Sequence, residues 1–585
     1  MKGRFTIKIA GFAGQGIKSS GLIISKALKR SGFFVFGYTE YPSLIRGGHN
    51  VFQIEISDRK IQSISKDIDV LLALNQDGLN FHLNEFDKDS GVVIVDVKVG
   101  VSEEQQAKID NLNLKLFQIP LDDLALNSGG SAIMRNTVSI GAIWKTLGLD
   151  IENLKNVVEE VFDKTDEIKQ ANLKAVDAGY NSIKENFDRL TKNFRRAENL
   201  KKQLIITGNE SLALGAIASG VKLYSSYPMT PASSILTNLA KWSAKSKMLV
   251  KQTEDEMTAS AMCLGANYAG TRALCGTSGG GVDLMSEHIS LSGMSEIPLT
   301  IILAQRHGPA TGAPTWTGQG DLEMAIHTGH GEFPRLVLSI SDGEDAFYLI
   351  SQALNYADKY RLPVIVLTEK YIAENFYTIE KFDQSKIIVD RGDLLEQDEL
   401  PNSPVSYEIT KSGLSYRWIP GTYNRLEKRA RITTTMSANS DEHNEKGYST
   451  EDEKIIKRQS EKRFRKFELL RKELPGPEII GDEKNADIIF VTFGSNKGIL
   501  EDAKRVLEND RRSVKIIHYS YLWPLKTETL LKLKDDLDKV YIVEQNYNGQ
   551  FARLIKRETG IEFKKHIRRY DSKPFYIEDI LKVIK

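Results

Sequence analysis

The chain has 585 residues, which is too long for one hydrophobic core and predicts about three or four domains. Its 79 basic and 78 acidic side chains give a net charge of +1, so charge does not indicate a nucleic acid or an anionic membrane as partner. No stretch reaches the roughly 18 uninterrupted apolar residues of a membrane span, and the first residues lack a signal-peptide pattern. We therefore expect a cytoplasmic protein with neither a nucleic-acid nor a membrane partner.

The first 190 residues alternate apolar strands with helices. The run F-T-I-K-I-A-G-F-A reads as a buried strand, and the helix that follows ends at Gly32. Between them lies a loop with Gly14 and Gly16, which does not fit the strict dinucleotide pattern G-x-G-x-x-G. This alternation predicts a parallel, doubly wound α/β domain over 1–190, followed by a charged linker over 191–203.

The same alternation predicts a second α/β domain over 204–378 and a third over 479–585. The predicted strands of the second are L-I-I-T, V-K-L-Y-S-S-Y, R-A-L-C-G-T, L-T-I-I-L-A and P-V-I-V-L-T. Between the two domains, 379–478 reads as a polar linker or insertion, in which 432–464 predicts an exposed, partly mobile excursion. Two cysteines, Cys263 and Cys275, lie in apolar runs and read as buried thiols rather than a disulfide.

One threonine stands between two prolines, in Y-P-M-T-P, where a predicted strand meets a predicted helix. Thr230 fits a helix N-cap, with Pro231 at the first helical position, where no amide hydrogen is needed. The same geometry fits a binding role, because a helix N-terminus after a parallel strand offers amides and a hydroxyl group to an anion. Both interpretations stay open on this stretch alone.

Three further stretches place polar groups at the ends of predicted elements. Glu254, Asp255 and Glu256 begin a helix of small residues, where acidic side chains suit the helix dipole without any further role. The turn T-S-G-G-G at 277–281 is of a common kind. Arg306 leaves the carboxyl end of an apolar strand, which suits either a surface ion pair or a bidentate clamp for a carboxylate.

Taken in order, these stretches resemble the α subunit of the 2-oxoacid:ferredoxin oxidoreductases. The matching motifs are Y-P-M-T-P at 227–231, E-D-E-M-T-A-S-A-M-C-L-G-A at 254–266, T-S-G-G-G-V-D-L-M-S-E at 277–287, Q-R-H-G-P-A-T-G-A-P-T at 305–315, G-Q-G-D-L at 318–322, G-H-G-E-F-P-R at 329–335 and V-E-Q-N-Y-N-G-Q at 543–550. The N-terminal G-F-A-G-Q-G-I-K-S-S-G and S-L-I-R-G-G-H-N are similar to the γ module of that family. The resemblance therefore implies a γ–α fusion, with a γ-type domain, a pyrimidine-binding domain for thiamine diphosphate and a domain like the C-terminal one of transketolases.

The resemblance implies coenzyme A-dependent oxidative decarboxylation of a 2-oxoacid, with pyruvate, 2-oxoglutarate and a broad range all open, and reduction of ferredoxin. Thiamine diphosphate would be shared with a separate β subunit that carries Mg²⁺ and a [4Fe–4S] cluster. This chain lacks the G-D-G…N segment for the diphosphate, and its two cysteines are too few for a four-cysteine cluster. No metal is expected on this chain, and S-D-G-E-D at 341–345 fits a helix cap instead.

The resemblance also implies roles for individual residues. Glu256, rather than Glu254, would be the catalytic residue that hydrogen-bonds the pyrimidine N1′ atom, because its spacing to Gly265 matches the glutamate helix of thiamine enzymes. Thr230 and Arg306 would bind the substrate carboxylate, and Thr315 would face the rest of the substrate. Further cofactor contacts are expected from Tyr227, Pro228, Ser278 and Gly279, and a coenzyme A or interface loop from Gly14, Gly16 and Arg46.

Two other functions remain open at this point. A transketolase-type enzyme without redox chemistry would need the diphosphate segment in this same chain. A non-catalytic, nucleotide-binding regulatory protein built on the N-terminal glycine loop would leave the motifs over 227–335 without a purpose.

Overall fold

A computed structural model describes residues 3–44, 47–87, 91–198, 200–396, 399–401, 403–422 and 435–584. Strands and helices alternate along most of these ranges. Up to residue 207 the elements are β1 (Phe5–Phe12), α1 (Ile17–Arg30), β2 (Phe34–Glu40), β3 (His49–Ser57), β4 (Val70–Ala73), α2 (Gln76–His82), β5 (Val92–Asp96), α3 (Glu103–Asn111), β6 (Lys115–Ile119), α4 (Leu121–Asn127), α5 (Arg135–Leu147), α6 (Glu152–Val161), α7 (Asp166–Ser182), α8 (Arg189–Asn193) and β7 (Leu204–Thr207).

The remaining elements follow in two stretches of chain. From 208 to 379 they are α9 (Gly208–Ala218), β8 (Leu223–Ser226), α10 (Ser233–Ser246), β9 (Leu249–Gln252), α11 (Glu256–Tyr268), β10 (Ala273–Thr277), α12 (Gly279–Leu284), α13 (Ser286–Ser295), β11 (Leu299–Gln305), α14 (Leu322–His327), β12 (Leu336–Ser339), α15 (Gly343–Tyr360), β13 (Pro363–Glu369), α16 (Lys370–Glu374) and β14 (Phe376–Ile379). From 453 onward they are α17 (Glu453–Glu473), β15 (Glu478–Gly481), β16 (Ile488–Phe493), α18 (Asn496–Asn509), β17 (Val514–Tyr519), β18 (Tyr521–Trp523), α19 (Glu528–Leu531), β19 (Val540–Glu544), α20 (Gln550–Thr559), β20 (Lys565–Arg568) and α21 (Ile577–Ile584).

The chain divides into two compact units, of which the first comprises Met1–Thr207, Glu374–Lys381 and Phe575–Lys585. Its sheet has the order β6-β5-β4-β1-β3-β2-β14-β7, parallel from β6 to β1 and antiparallel from β1 to β7. The predicted parallel half is present. β3 is not among the predicted strands, although its alternation V-F-Q-I-E-I is typical of an antiparallel strand.

Two segments that were predicted to belong to other domains are part of this first unit. The run L-I-I-T at 204–207, predicted as a strand of the second domain, forms β7 and pairs with β14 in the first sheet. Near the end of the chain, Tyr576 bridges Ile64, and Ser65 Oγ donates to Glu578 at 2.7 Å, so α21 packs with the first unit rather than with the third predicted domain.

The second unit comprises Gly208–Ala373 and Phe382–Pro574 and contains two sheets. The seven-stranded sheet, in the order β18-β12-β13-β11-β10-β8-β9, is parallel except for β18, and the five-stranded sheet, in the order β15-β17-β16-β19-β20, is parallel except for β15. One apolar core contains residues of both, among them Val337, Ile365 and Phe493. The predicted α/β class with mostly parallel sheets is confirmed.

Helix α17 corrects the predicted exposed excursion. One side of this 21-residue helix is buried, and it includes Lys462 and Lys466, whose Nζ atoms donate to the two oxygens of Glu296 at 2.6 and 2.7 Å. The prediction of an exposed segment is therefore wrong from residue 453 onward. The charged composition suggested exposure, but a lysine can be buried when a carboxylate pairs with it. The first residues of the predicted excursion, 432–434, lie outside the described ranges.

Among the described residues, no helix combines the length and the apolar composition that a membrane crossing requires.

Candidate active site

The predicted site residues gather where the parallel strands of the seven-stranded sheet end. Tyr227 to Thr230 follow β8, Ser278 follows β10, and Arg306 follows β11. These three strands are neighbours in the sheet and all run parallel. Their carboxyl ends therefore meet at one edge, which is where open α/β sheets bind ligands.

Glu256 is a buried carboxyl group at the start of a capped helix. Asp255 caps α11 by accepting a hydrogen bond from the Thr258 amide at 2.7 Å, and Glu256 is the first helical residue. Only 3% of Glu256 is exposed, and Thr277 Oγ1 donates to its Oε1 at 3.1 Å. In contrast, Glu254 is exposed. A partly desolvated carboxyl group, as proton sharing requires, is available at Glu256 and not at Glu254.

The glycines of the 277–281 turn let helix α12 approach this carboxyl group. A Cβ on Gly281 would lie 2.0 Å from Thr277 Oγ1 and 2.7 Å from Glu256 Oε1, so any larger residue would displace the pair. Ser278 precedes the helix without capping it, and its buried Oγ has no hydrogen-bond partner among the described residues. An unsatisfied buried hydroxyl group is costly unless a ligand completes it.

Of the two interpretations of Thr230, the one in which it caps the following helix is wrong. Helix α10 begins at Ser233, and its N-cap residue is Ala232, which has no side chain that could cap. The Ala232 amide donates to the Met229 carbonyl group at 2.9 Å, so the chain makes a turn before the helix starts. This turn contains the Thr230–Pro231 peptide bond, which is cis.

The structure does bring Thr230 and Arg306 together. Arg306 Nη1 donates to the Thr230 carbonyl oxygen at 2.8 Å, and no ion pair engages Arg306 among the described residues. Burial lowers the pKa of Arg306, and the charge of Asp321 opposes that shift. A guanidinium group with five N–H donors keeps further donors for an anion after this one hydrogen bond.

Thr315 lies in the loop that follows Arg306. The loop is closed at its base, where the Ala313 amide donates to the His307 carbonyl group at 2.8 Å. Thr315 is 4% exposed, and its Oγ1 is a second buried hydroxyl without a partner in the described part of the chain. Two of the buried hydroxyl groups without a partner among the described residues, those of Ser278 and Thr315, thus belong to predicted site residues, while others, such as those of Ser25 and Ser211, do not.

The other predicted residues fall into two groups. Tyr227 and Pro228 are exposed on the segment after β8, with 39% of Tyr227 accessible. Gly14 and Gly16 adopt positive φ values of 88° and 67° in the first unit, and Gly16 lines a cavity of about 540 Å³ between α1, α5 and α7. Arg46 lies outside the described residues.

Asp321 is a site residue that the sequence reading did not assign. It occupies the N-cap position of α14, yet its side chain does not cap the helix and makes no hydrogen bond or ion pair with the described residues. Its Oδ2 lies 3.0 Å from the position of a Cβ on Gly279. Burial raises the pKa of Asp321 to about 6, supported by the charge of Asp283 and opposed by Arg306. Sequence reasoning could have found Asp321 from its position in the motif G-Q-G-D-L, which was quoted without assigning this residue a role.

The site fits one half of a thiamine cofactor. A dry carboxyl group and two unpartnered hydroxyl groups suit an aminopyrimidine and its substrate. For the diphosphate half, Asp342 accepts from the amides of Glu344 and Asp345 and caps α15, as predicted for S-D-G-E-D. Within the described ranges, no group of three or more His, Cys, Asp or Glu side chains could hold a metal ion. Cys263 and Cys275 are buried free thiols, which confirms that prediction.

Comparisons with known proteins agree with these features. A family described as "Pyruvate flavodoxin/ferredoxin oxidoreductase, thiamine diP-bdg" matches residues 214–462, and one described as "Pyruvate ferredoxin/flavodoxin oxidoreductase" matches 6–182. The 2-oxoacid:ferredoxin oxidoreductase subunit alpha of Sulfolobus sp. is 30% identical over 637 aligned positions, covering all of this chain and 97% of the relative. Subunit alpha of the 2-oxoacid:ferredoxin oxidoreductase 1 of Sulfurisphaera tokodaii is also 30% identical, again over all of this chain and 98% of the relative.

A solved structure matches over the same length. It is the 2-oxoglutarate:ferredoxin oxidoreductase from Magnetococcus marinus with 2-oxoglutarate, coenzyme A and succinyl-CoA bound, which is 29% identical with a TM-score of 0.90 and covers all of this chain and 99% of its own. With whole-length identity at this level, the chain belongs to the family of 2-oxoacid:ferredoxin oxidoreductase alpha subunits.

Proposed function

We propose that this chain is the α subunit of an enzyme that oxidatively decarboxylates a 2-oxoacid in the presence of coenzyme A and reduces ferredoxin. The observation that carries the proposal is the buried Glu256, hydrogen-bonded by Thr277 at the start of α11, beside a sheet edge where Arg306 and Thr230 meet. Family membership supports the same reaction class.

Each site residue has a role in that reaction. Thiamine diphosphate, when bound, supplies a carbon nucleophile and an electron sink for decarboxylation. Glu256 would hydrogen-bond the pyrimidine N1′ atom, and Thr277 holds its carboxyl group in place. Arg306 would bind the substrate carboxylate with the N–H groups that Thr230 does not use. Thr315 would offer its unpartnered hydroxyl group to the rest of the substrate, and Ser278 would offer its own to the cofactor.

The remaining parts of the reaction are assigned to partners. A separate β subunit would bind the diphosphate through Mg²⁺ and would carry the [4Fe–4S] cluster that passes electrons to ferredoxin. The exposed Tyr227 and Pro228 would contact the cofactor where the two subunits meet. Coenzyme A would bind to this chain itself, and the candidate place is the first unit, where the cavity beside Gly16 offers space for a ligand. A cytoplasmic location stays a prediction.

Purified complexes test the proposal. The full chain, expressed alone and together with a cysteine-bearing β subunit, is assayed with thiamine diphosphate, Mg²⁺, coenzyme A and a panel of 2-oxoacids. We expect acyl-CoA formation and acceptor reduction from the pair and neither from the chain alone. Two-carbon transfer without electron release would favour the transketolase-type alternative, and full activity of the chain alone would contradict the shared site.

A further inference from the structure

A buried polar network joins the loop that carries Thr315 to the five-stranded sheet. We call it the clasp, and its members lie at the carboxyl ends of β13, β16 and β19 and in the loop before α14. They are Thr317, Gln319, Glu369, Ser495, Asn496 and Gln545. The proposed mechanism uses none of these side chains.

Glu369 is the central acid of the clasp. Its Oε2 accepts from Thr317 Oγ1 at 2.9 Å, and its Oε1 accepts from Gln319 Nε2 at 2.9 Å and from the Ser495 amide at 3.1 Å. The side chain is buried, and all of these donors are neutral. Burial raises the pKa of Glu369, while the hydrogen bonds oppose that shift. Burying a carboxyl group among neutral donors costs desolvation free energy. An apolar side chain of similar size would avoid that cost.

Gln319 connects the loop to both sheets. Its side-chain Oε1 accepts hydrogen bonds from Asn496 Nδ2 and from the backbone amide of Gln545, each at 2.9 Å. The backbone amide of Gln319 donates to the backbone carbonyl group of Gln545 at 2.8 Å. Gly494, with φ of 63°, leaves room for it, because a Cβ there would lie 2.6 Å from Gln319 Nε2. Every polar group of the Gln319 side chain therefore has a defined partner.

The motif V-E-Q-N-Y-N-G-Q at 543–550 forms further hydrogen bonds to the residues that follow Gln319. Asn546 Nδ2 donates to the Gln319 carbonyl group at 3.2 Å, and Gln550 Nε2 donates to the Gly320 carbonyl group at 2.6 Å. In turn, Gln550 Oε1 accepts from the Glu323 amide at 3.0 Å. Residues 319–323 are thus bound to the end of β19 and the start of α20 at successive positions.

The clasp lies next in sequence to two residues of the proposed site. Thr317 is two positions after Thr315, and Gln319 is two positions before Asp321. The buried hydroxyl group of Thr315 and the uncapped carboxyl group of Asp321 are therefore carried on a backbone that the hydrogen bonds of the clasp hold on both sides of Gly318. Side chains that only filled space would not need six aligned polar groups.

We propose that Glu369 is a positioning residue for the substrate loop, acting through Thr317 and Gln319 on Thr315 and Asp321, with the 543–550 motif as its support. The inference rests on the proposed function. It assigns the motif and the five-stranded sheet a role in substrate binding without direct contact to the substrate.

The test compares variants of the full chain in complex with its β subunit. Glu369→Ala and Thr317→Val remove the central hydrogen bonds, while Glu369→Gln keeps the acceptor for Gln319 and Ser495. Thr146→Val is the matched control, because its buried hydroxyl group in the first unit donates to the Ile143 carbonyl group at 2.7 Å and has no link to the clasp. The readouts are KM and kcat for the 2-oxoacid, and peptide-resolved hydrogen exchange over 306–318.

We expect Thr317→Val to raise KM by about tenfold with a smaller change in kcat, and Glu369→Ala to raise it further. Hydrogen exchange over 306–318 should accelerate in both variants, and Glu369→Gln should stay within about threefold of the wild type in KM. Unchanged KM and unchanged exchange in Glu369→Ala and Thr317→Val, as in Thr146→Val, would overturn the inference. If the wild-type complex oxidises no 2-oxoacid, the proposed function fails, whereas hydrogen exchange still decides whether the clasp holds the loop.

Discussion

The second unit treats its buried acids in two opposite ways. Away from the site, Glu296 binds two lysine ammonium groups. Asp358 likewise binds Arg272 at 2.7 Å and Arg417 at 2.9 Å. Burial would raise the pKa of Glu296, but the neighbouring cations outweigh it and hold that pKa well below its ordinary value. Glu296 therefore remains ionised, and both acids connect distant segments of the chain.

At and beside the site, the three acids form no salt bridge among the described residues. Glu256 and Glu369 accept hydrogen bonds from neutral groups, whereas the Asp321 side chain accepts none, and the charge of Arg306 only opposes the rise in its pKa. Burial raises the pKa of both Asp321 and Glu369. The contrast indicates that acids which connect distant segments are paired with cations within the chain, whereas Glu256 and Asp321 have no salt-bridge partner among the described residues and stay available for a ligand.

The largest effect is expected at Glu256. Glu256→Gln keeps the shape of the side chain but removes the acid, so activity should fall about 10²- to 10⁴-fold. Oxoacid-dependent acceptor reduction by the reconstituted complex measures this, and Glu254→Gln, at an exposed carboxyl group, is the control. Comparable activity of both variants would remove Glu256 from the mechanism.

Glu296→Ala removes a buried acid that lies away from the site and is paired with two lysines. Lys462 and Lys466 would lose their buried counter-charge, which should lower the free energy of unfolding by about 3–5 kcal/mol. Urea unfolding measures this loss. Activity per folded molecule should stay near the wild-type level, because Glu296 does not contact the site residues. A stability change below about 1 kcal/mol would contradict the structural role.

Arg306→Ala tests whether the site recognises an anion. Loss of a charged hydrogen-bond donor costs roughly 1.5–3 kcal/mol, so KM for the 2-oxoacid should rise about 10- to 100-fold. Arg306→Lys should recover little, because an ammonium group cannot reach both Thr230 and a carboxylate with the guanidinium geometry. An unchanged KM in the alanine variant would place the carboxylate elsewhere.

The smallest effect is expected from the pH dependence of Asp321. Because its pKa is raised to about 6, the unfolded chain releases this proton at lower pH than the folded chain. The wild type should therefore lose stability relative to Asp321→Asn as the pH rises from about 4 to about 6, by roughly 1–2 kcal/mol, and no further above that. Urea unfolding at several pH values measures this, and parallel curves would show that Asp321 is not desolvated.

What the sequence predicts well depends on distance along the chain. Helix α11 and its acidic start are local, so residues 254–266 were sufficient to predict them. The clasp was missed because its hydrogen bonds join residues far apart, such as Gln319 and Glu369, which are 50 positions apart, and Glu369 and Gln545, which are 176 apart. The sequence did show that Glu369 ends the apolar run P-V-I-V-L-T-E, but it did not show which residues would hydrogen-bond this acid.

Other misses have equally physical causes. The polar composition around Lys462 suggested exposure, because nothing near it in sequence reveals a buried glutamate 166 positions away. For Thr230, a Thr-Pro pair before a helical run matches an N-cap, but the extra turn that delays α10 to Ser233 depends on tertiary contacts such as that between Asn209 Nδ2 and the Pro231 carbonyl group.

The placement of α21 bears on the order in which the protein is made. Its residues pack with the first unit, as does β14 from the middle of the chain. During synthesis residues 3–207 leave the ribosome before the rest of this unit, which reaches its full set of strands and helices only once α21 has been made, more than 360 positions later. The early strands must therefore wait for a helix encoded far downstream.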